Sequence, residues 1–299
     1  MTISQIKRVA VLGSGVMGQG IAAHLANAGI PSILFDLPLN GYTFLDDEDS
    51  RAIAKGALKN AVKLKPAAFY KKSDVSLISA ASFDDDANLL ASCDLIIEVV
   101  AERLDIKRNV FEWVAKHRKE GSILTSNTSG ISLAAMAENM TEEMRQHFMI
   151  THFFNPVRYM RLLELVVGPD TKPEVVNTVS EFGSKQLGKG IVYGKDTANF
   201  VANRIGTFGM ISVFKNMEQY GLDVEDVDVI FGPPMGRPKS AVFRTADLVG
   251  LDTLSHTFDN VYDNCPEDEE REHFQAPAWL KKMIDDKILG DKTGKGLYQ

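Results

Sequence analysis

Short apolar runs alternate with longer stretches of helical periodicity through the first two thirds of the chain. The runs Lys7–Leu12, Ser32–Phe35, Val75–Ile78, Asp94–Val100, Ser122–Thr125 and Phe148–His152 read as strands, with a further pair at Leu162–Val167 and Ile191–Tyr193. Between them the spacing predicts helices at Val16–Ala28, Ser50–Lys65, Leu104–Arg118, Ile131–Asn139 and Glu174–Leu187. Apolar strands alternating with helices specify an α/β domain whose parallel sheet is covered on both faces. The pattern changes near residue 195. Asn199–Tyr220 reads as one long helix, and further helical segments follow at Val224–Ile230, Thr245–Tyr262 and Ala278–Asp286. The expected organisation is therefore a sheet domain over 1–194 and a smaller all-α domain over 195–299. The polar, acidic stretch Cys265–Glu272 reads as a solvated loop.

Composition narrows the function. The 299 residues carry a net charge of −7, which gives no electrostatic support for binding nucleic acid. Two cysteines with no CxxC, and six histidines with no HExxH spacing, leave neither a disulfide framework nor a metal site. The N-terminus enters an apolar strand within a few residues, and no apolar run approaches the roughly 18 to 20 residues of a membrane span. These features point to a reduced, cytoplasmic protein with no membrane partner.

The segment VAVLGSGVMGQG holds Gly13-x-Gly15-x-x-Gly18 between an expected strand and an expected helix. Gly13 permits the tight turn, Gly15 lets the backbone approach a pyrophosphate, and Gly18 allows close packing of helix on strand. Val16 and Met17 open the helix, so their amides and the positive end of the helix dipole are available to phosphate. The next strand ends at Asp36, 18 residues beyond Gly18, close to where a carboxylate meets the adenosine ribose. That carboxylate favours NAD over NADP. The acidic stretch that follows it has no obvious basic residue for a 2′-phosphate. The fold class is accordingly a doubly wound Rossmann sheet.

Seven blocks in order resemble the 3-hydroxyacyl-CoA dehydrogenase family. They are VLGSGVMGQGIA at 11–22, IIEVVAERLDIK at 96–107, SNTSGIS at 126–132, HFFNPVRYMRLLELV at 152–166, KDTANFVANRIG at 195–206, PPMGRPKSAVFRTADLVGLDT at 233–253 and GDKTGKGLY at 290–298. The resemblance implies NAD-dependent, reversible oxidation of an (S)-3-hydroxyacyl-CoA to the 3-ketoacyl-CoA, in fatty-acid β-oxidation or butanoate metabolism. It also implies a homodimer through the helical domain, or a place in a larger multifunctional chain. Departures from the family pattern are Ala198–Asn199 where Pro-Gly is usual, Gly130 where a second serine is usual, and a longer stretch after Asp36.

Oxidising a secondary alcohol needs a base. His152, at the end of an expected strand and ahead of Asn155–Pro156, can take and return a proton near working pH. Glu164 lies inside an otherwise apolar strand, where a buried carboxylate needs a partner. The resemblance makes His152 and Glu164 the catalytic pair. It places the Ser129 hydroxyl on the substrate's 3-oxygen near the nicotinamide, and Asn203 on the thioester side. Asn155 falls at the nicotinamide end, Glu102 and Lys107 at the nicotinamide ribose, and Lys292 within reach of the cofactor. From the residues alone, Ser129 or Ser132 could instead cap a helix, and Glu102 with Lys107 could be an ordinary charge pair. Lys55, Lys59 and Lys63 recur every four residues on one expected helix face, with Lys65 just past the row. Such a row can hold the phosphates of coenzyme A or simply face solvent. Two rival functions stay open: a dehydrogenase of a free hydroxy acid or sugar acid on the same scaffold, and a non-catalytic NAD-binding relative.

Overall fold

The structure is a computed structural model describing residues 5–37 and 49–298. Most of the acidic stretch after Asp36 lies outside the described residues. The chain divides into two compact units, Met1–Asp196 and Thr197–Gln299.

In the first unit the strands are β1 Val9–Leu12, β2 Ser32–Asp36, β3 Ile78–Ser82, β4 Leu95–Glu98, β5 Ile123–Ser126, β6 Phe148–Phe153, β7 Leu162–Val167 and β8 Gly190–Gly194. The helices are α1 Val16–Asn27, α2 Ala52–Ala61, α3 Leu104–His117, α4 Leu133–Ala137, α5 Glu142–Gln146 and α6 Pro173–Glu181. The strands form one sheet in the order β3-β2-β1-β4-β5-β6-β7-β8. Strands β1, β4 and β5 are buried along their whole length, as continuous apolar runs covered on both faces must be. The order reverses between β1 and β4, and the crevice beyond their carboxyl ends is where such sheets bind ligands.

Not every pairing is parallel. β7 runs antiparallel to β6, because residues 154–161 join them directly; a parallel crossover needs a dozen residues or more. This connection decides the site: it returns the chain along β6 with His152 directly opposite Glu164.

Several expected boundaries move. The strand expected at Val75–Ile78 forms instead at Ile78–Ser82. Its small residues, ISAAS, carry little apolar signal, and Lys72–Leu77 coil into a 3₁₀ turn. α2 ends at Ala61, so Lys63 and Lys65 lie beyond it and the expected lysine row is not continuous. α4 starts at Leu133, capped by Ser132, whose hydroxyl accepts from the Ala135 amide. α6 gives way to a π turn at Phe182–Gln186.

The second unit is helical: α7 Ala202–Tyr220, α8 Val224–Ile230, α9 Phe243–Val249, α10 Leu251–Asn264 and α11 Ala278–Asp285. The helix expected over Thr245–Tyr262 breaks at Gly250, whose φ of +97° lies outside any helix. α7 starts at Ala202 because Asn199 and Phe200 both hold positive φ. Phe214 stacks on Phe243 at 4.8 Å and lies 6.1 Å from Phe258 at the centre of this core. The stretch Cys265–Glu272 is not simply solvated: Asp268 is tied to Arg204 of α7 in an ion pair.

Candidate active site

The site grows from one edge of the sheet. Leu12, Glu98, Ser126 and Ile150 form a single register row across β1, β4, β5 and β6. Just beyond that row lie Gly13, Val99, Asn127 and His152, so the sheet brings the glycine loop, the loop before Ser129 and His152 to one border.

The glycine loop is dictated by sterics. Gly13 has φ of +111°, and a Cβ there would stand 2.7 Å from the Val99 carbonyl oxygen. A Cβ on Gly18 would overlap the Gly13 carbonyl. At Gly15 a Cβ would meet no protein atom within 4 Å, so the loop presents bare backbone to open space. α1 then starts at Val16 with no side-chain cap and no acidic residue in its first turn. Its leading amides and dipole are left for an anion. Asp36 closes the crevice from β2, accepting from the Ser14 amide at 2.7 Å and from the Ser14 hydroxyl, and from the Leu37 amide at 2.7 Å. These features fit a dinucleotide: an open backbone approach at Gly15, donors at Val16 and Met17, and a fixed carboxylate at Asp36.

His152 and Glu164 are buried, at 4% and 0% exposure, and His152 Nδ1 lies 2.7 Å from Glu164 Oε2. Phe154 packs its ring 4.2 Å from the imidazole. The Phe153 amide donates to Asn127 Oδ1 at 2.9 Å, tying the end of β6 to the loop that carries Ser129. Ser129 is exposed, and its amide donates to Glu102 Oε1 at 2.9 Å. Asn155 is exposed on the loop after β6.

Glu102 and Lys107 do meet, at 3.2 Å, but Lys107 is 1% exposed and held chiefly by a residue that sequence reasoning passed over. Glu98, fully buried at the end of β4, accepts from Lys107 Nζ at 2.8 and 3.0 Å, from the Val100 amide at 2.7 Å and from the Ser126 hydroxyl. A carboxylate within the apolar run IIEVV is the same signal that singled out Glu164. Burial would raise the Glu102 carboxyl, but the Lys107 charge, the Thr128 hydroxyl and the Ser129 amide outweigh it and hold the group below the usual carboxylate range.

The remaining candidates lie on other elements. Lys55 is ion-paired with Asp49, and Lys59 is exposed on α2. Asn203 and Lys292 belong to the second unit. There Asn203 is half-buried in the first turn of α7 and Lys292 is ion-paired with Asp252. Among the described residues no cluster of His, Cys, Asp and Glu is placed to hold a metal ion, and no helix is long and apolar enough to cross a membrane.

Comparison with known proteins covers both units. Residues 8–197 match the model for the 3-hydroxyacyl-CoA dehydrogenase NAD binding domain, and residues 200–299 the C-terminal domain of the same family. A probable 3-hydroxyacyl-CoA dehydrogenase of Bacillus subtilis is 46% identical over 98% of this chain, which spans 38% of that protein's length. One from Deinococcus radiodurans is 42% identical over 99% of this chain and 83% of its own. The crystal structure of FadB2 from M. tuberculosis superposes with a TM-score of 0.82 at 30% identity, covering 99% of both chains.

Proposed function

The chain belongs to the 3-hydroxyacyl-CoA dehydrogenase family, and from that premise we propose that it interconverts 3-hydroxyacyl-CoA and 3-ketoacyl-CoA thioesters with NAD. The observation that carries the reading is the buried His152–Glu164 pair, set opposite in register at the ligand-binding edge of the sheet. Bound NAD supplies the hydride acceptor.

With Nδ1–H donating to Glu164, Nε2 is the basic nitrogen of the neutral imidazole. That nitrogen takes the 3-hydroxyl proton in oxidation and returns it in reduction. Glu164 fixes the tautomer and offsets the positive charge on the ring, in the manner of the carboxylate in a catalytic triad. The Ser129 hydroxyl positions the substrate's 3-oxygen, and Asn203 the thioester. Asn127 and Glu102 keep the 127–130 loop in place for that task, and much of the acceleration comes from orientation. Gly13, Gly15, Val16, Met17, Gly18 and Asp36 hold the dinucleotide. Glu102, with Lys107 and Glu98 behind it, meets the nicotinamide ribose, while Asn155 and Lys292 are the remaining cofactor contacts.

Initial rates of NADH oxidation with acetoacetyl-CoA and with free acetoacetate test this reading, with NADPH as the control. Turnover of the thioester with NADH, at least a hundredfold faster than of the free acid, is expected. Preference for the free acid would move the chain to another dehydrogenase class, and NADH binding without turnover would leave a non-catalytic relative.

A further inference from the structure

A buried ammonium is costly, and an aliphatic side chain would fill the same space without that cost. Lys107 is compensated by two carboxylates, Glu98 and Glu102. Lys189, 5% exposed just ahead of β8, has no carboxylate partner among the described residues. Its Nζ instead donates to two carbonyls of one loop, Val157 at 2.5 Å and Met160 at 2.8 Å, and lies 5.7 Å from the Phe153 ring centroid. The loop is residues 154–161, which leave β6 just after His152 and enter β7 just before Glu164. The ammonium therefore grips the stretch of chain that joins the two paired residues.

The same loop is seated on the dinucleotide helix. Val157 is buried, and a Cβ on Gly20 of α1 would stand 2.9 Å from its Cγ2. One turn further along α1, His24 Nε2 lies 3.0 Å from the carbonyl of Leu187. The Lys189 amide donates to the Gly183 carbonyl at 2.9 Å, so the peg itself is anchored. Neighbouring titratable groups are otherwise engaged. His24 is pulled down to about 4 by burial and by the Lys189 charge, so it stays neutral at ordinary assay pH. Arg158 donates to the carbonyls of Ala67 and Phe69, Tyr159 and Arg161 are exposed, Lys185 is paired with Glu181, and Glu164 is bonded to His152. Burial pulls Lys189 itself down to about 8.

We propose that Lys189 is a positioning residue for hydride transfer, whose charge holds the 154–161 loop in the form that keeps His152 opposite Glu164 and Asn155 at the crevice. The inference rests on the dehydrogenase reading above. A neutral amine keeps donors but loses the charge that strengthens both bonds, so the loop loosens as Lys189 deprotonates. The direction of reaction decides whether this is visible. In reduction His152 must start protonated, and activity falls with rising pH on that account alone. In oxidation His152 must start neutral, so activity rises with pH and a later fall belongs to another group.

The test is kcat for oxidation of 3-hydroxybutyryl-CoA by NAD⁺ from about pH 6.5 to about pH 9.5. The wild type should rise and then fall, with the fall centred near 8. Lys189→Met should lower kcat at the optimum at least tenfold, leave KM for NAD⁺ within about threefold and show no such fall. Lys189→Arg, charged throughout the range, should recover most of the lost kcat and stay level at alkaline pH. Should Lys189→Met not fold, the wild-type and Lys189→Arg profiles decide alone. A wild-type profile without the fall, a fall that survives in the variants, or a Lys189→Met kcat within twofold of wild type overturns the proposal. If the wild-type chain oxidises no 3-hydroxyacyl-CoA, the dehydrogenase reading fails. The loop is then decided by hydrogen exchange corrected for the intrinsic rate. Protection of residues 154–161 that drops between about pH 7 and about pH 9 in the wild type but not in Lys189→Arg upholds a charge-held loop, and equal protection overturns it.

Discussion

At the scale of single residues, a buried carboxylate in an apolar strand is the most telling mark in this chain. It occurs twice. Glu164 was legible because HFFNP stood nearby to suggest a partner; Glu98 was not, because its partner Lys107 lies on the following helix and only the fold brings it back to the strand end. Asn199 shows the reverse case, in which a departure from the family pattern proves mild. It stands where glycine is usual, with φ of 60°, a conformation asparagine tolerates better than most residues. Both ends of its amide are satisfied, by the Thr257 carbonyl at 2.9 Å and by Asn260 at 2.7 Å. Glu164→Gln keeps the shape of the His152–Glu164 pair while removing its charge. Its kcat for acetoacetyl-CoA reduction should fall by roughly 10²–10⁴, with little change in KM. A rate within twofold of wild type would show that the charge opposite His152 does no catalytic work.

At the scale of elements, periodicity located the strands and helices but left their directions and breaks undetermined. The antiparallel turn of β7 could not be read from LLELVV, because a fully buried strand looks the same in either direction. It follows from the shortness of the 154–161 connection. That connection is held from beneath by Lys189, which donates to the carbonyls of Val157 at 2.5 Å and Met160 at 2.8 Å, and which burial pulls down to about 8. The single long helix expected after Thr245 ignored Gly250, since one glycine in a helical pattern is often tolerated. Here its φ of +97° ends α9 and starts α10, and a Cβ would stand 2.9 Å from Lys292 Nζ. Gly250→Ala should therefore destabilise the second unit by about 1–3 kcal/mol, measurable as a lower midpoint in chemical denaturation. An unchanged midpoint would mean that the break adapts to alanine.

At the scale of the whole molecule, a sheet unit followed by a helical one is legible in the loss of strand signal along the chain. The sheet's cover, however, contains a group no motif announced. His24, on the buried side of α1, is pulled down to about 4 by burial and by the charge of Lys189, against a bond to the Leu187 carbonyl. Its folded-state value lies below its unfolded one, so the folded protein binds fewer protons between the two. Its contribution is complete above about pH 6.5 and is lost as pH falls toward 4, on the order of 3 kcal/mol over that window. Replacing His24 by Gln should flatten the dependence of unfolding free energy on pH between 6.5 and 4. An equally steep profile would assign acid lability to other groups.

The account as a whole depends on one imidazole at the carboxyl edge of the sheet. The most direct test is the turnover number of His152→Gln with acetoacetyl-CoA and NADH, measured alongside NADH binding. We predict a fall of at least a hundredfold in kcat with NADH affinity within about twofold of wild type. Turnover at the wild-type rate would contradict it.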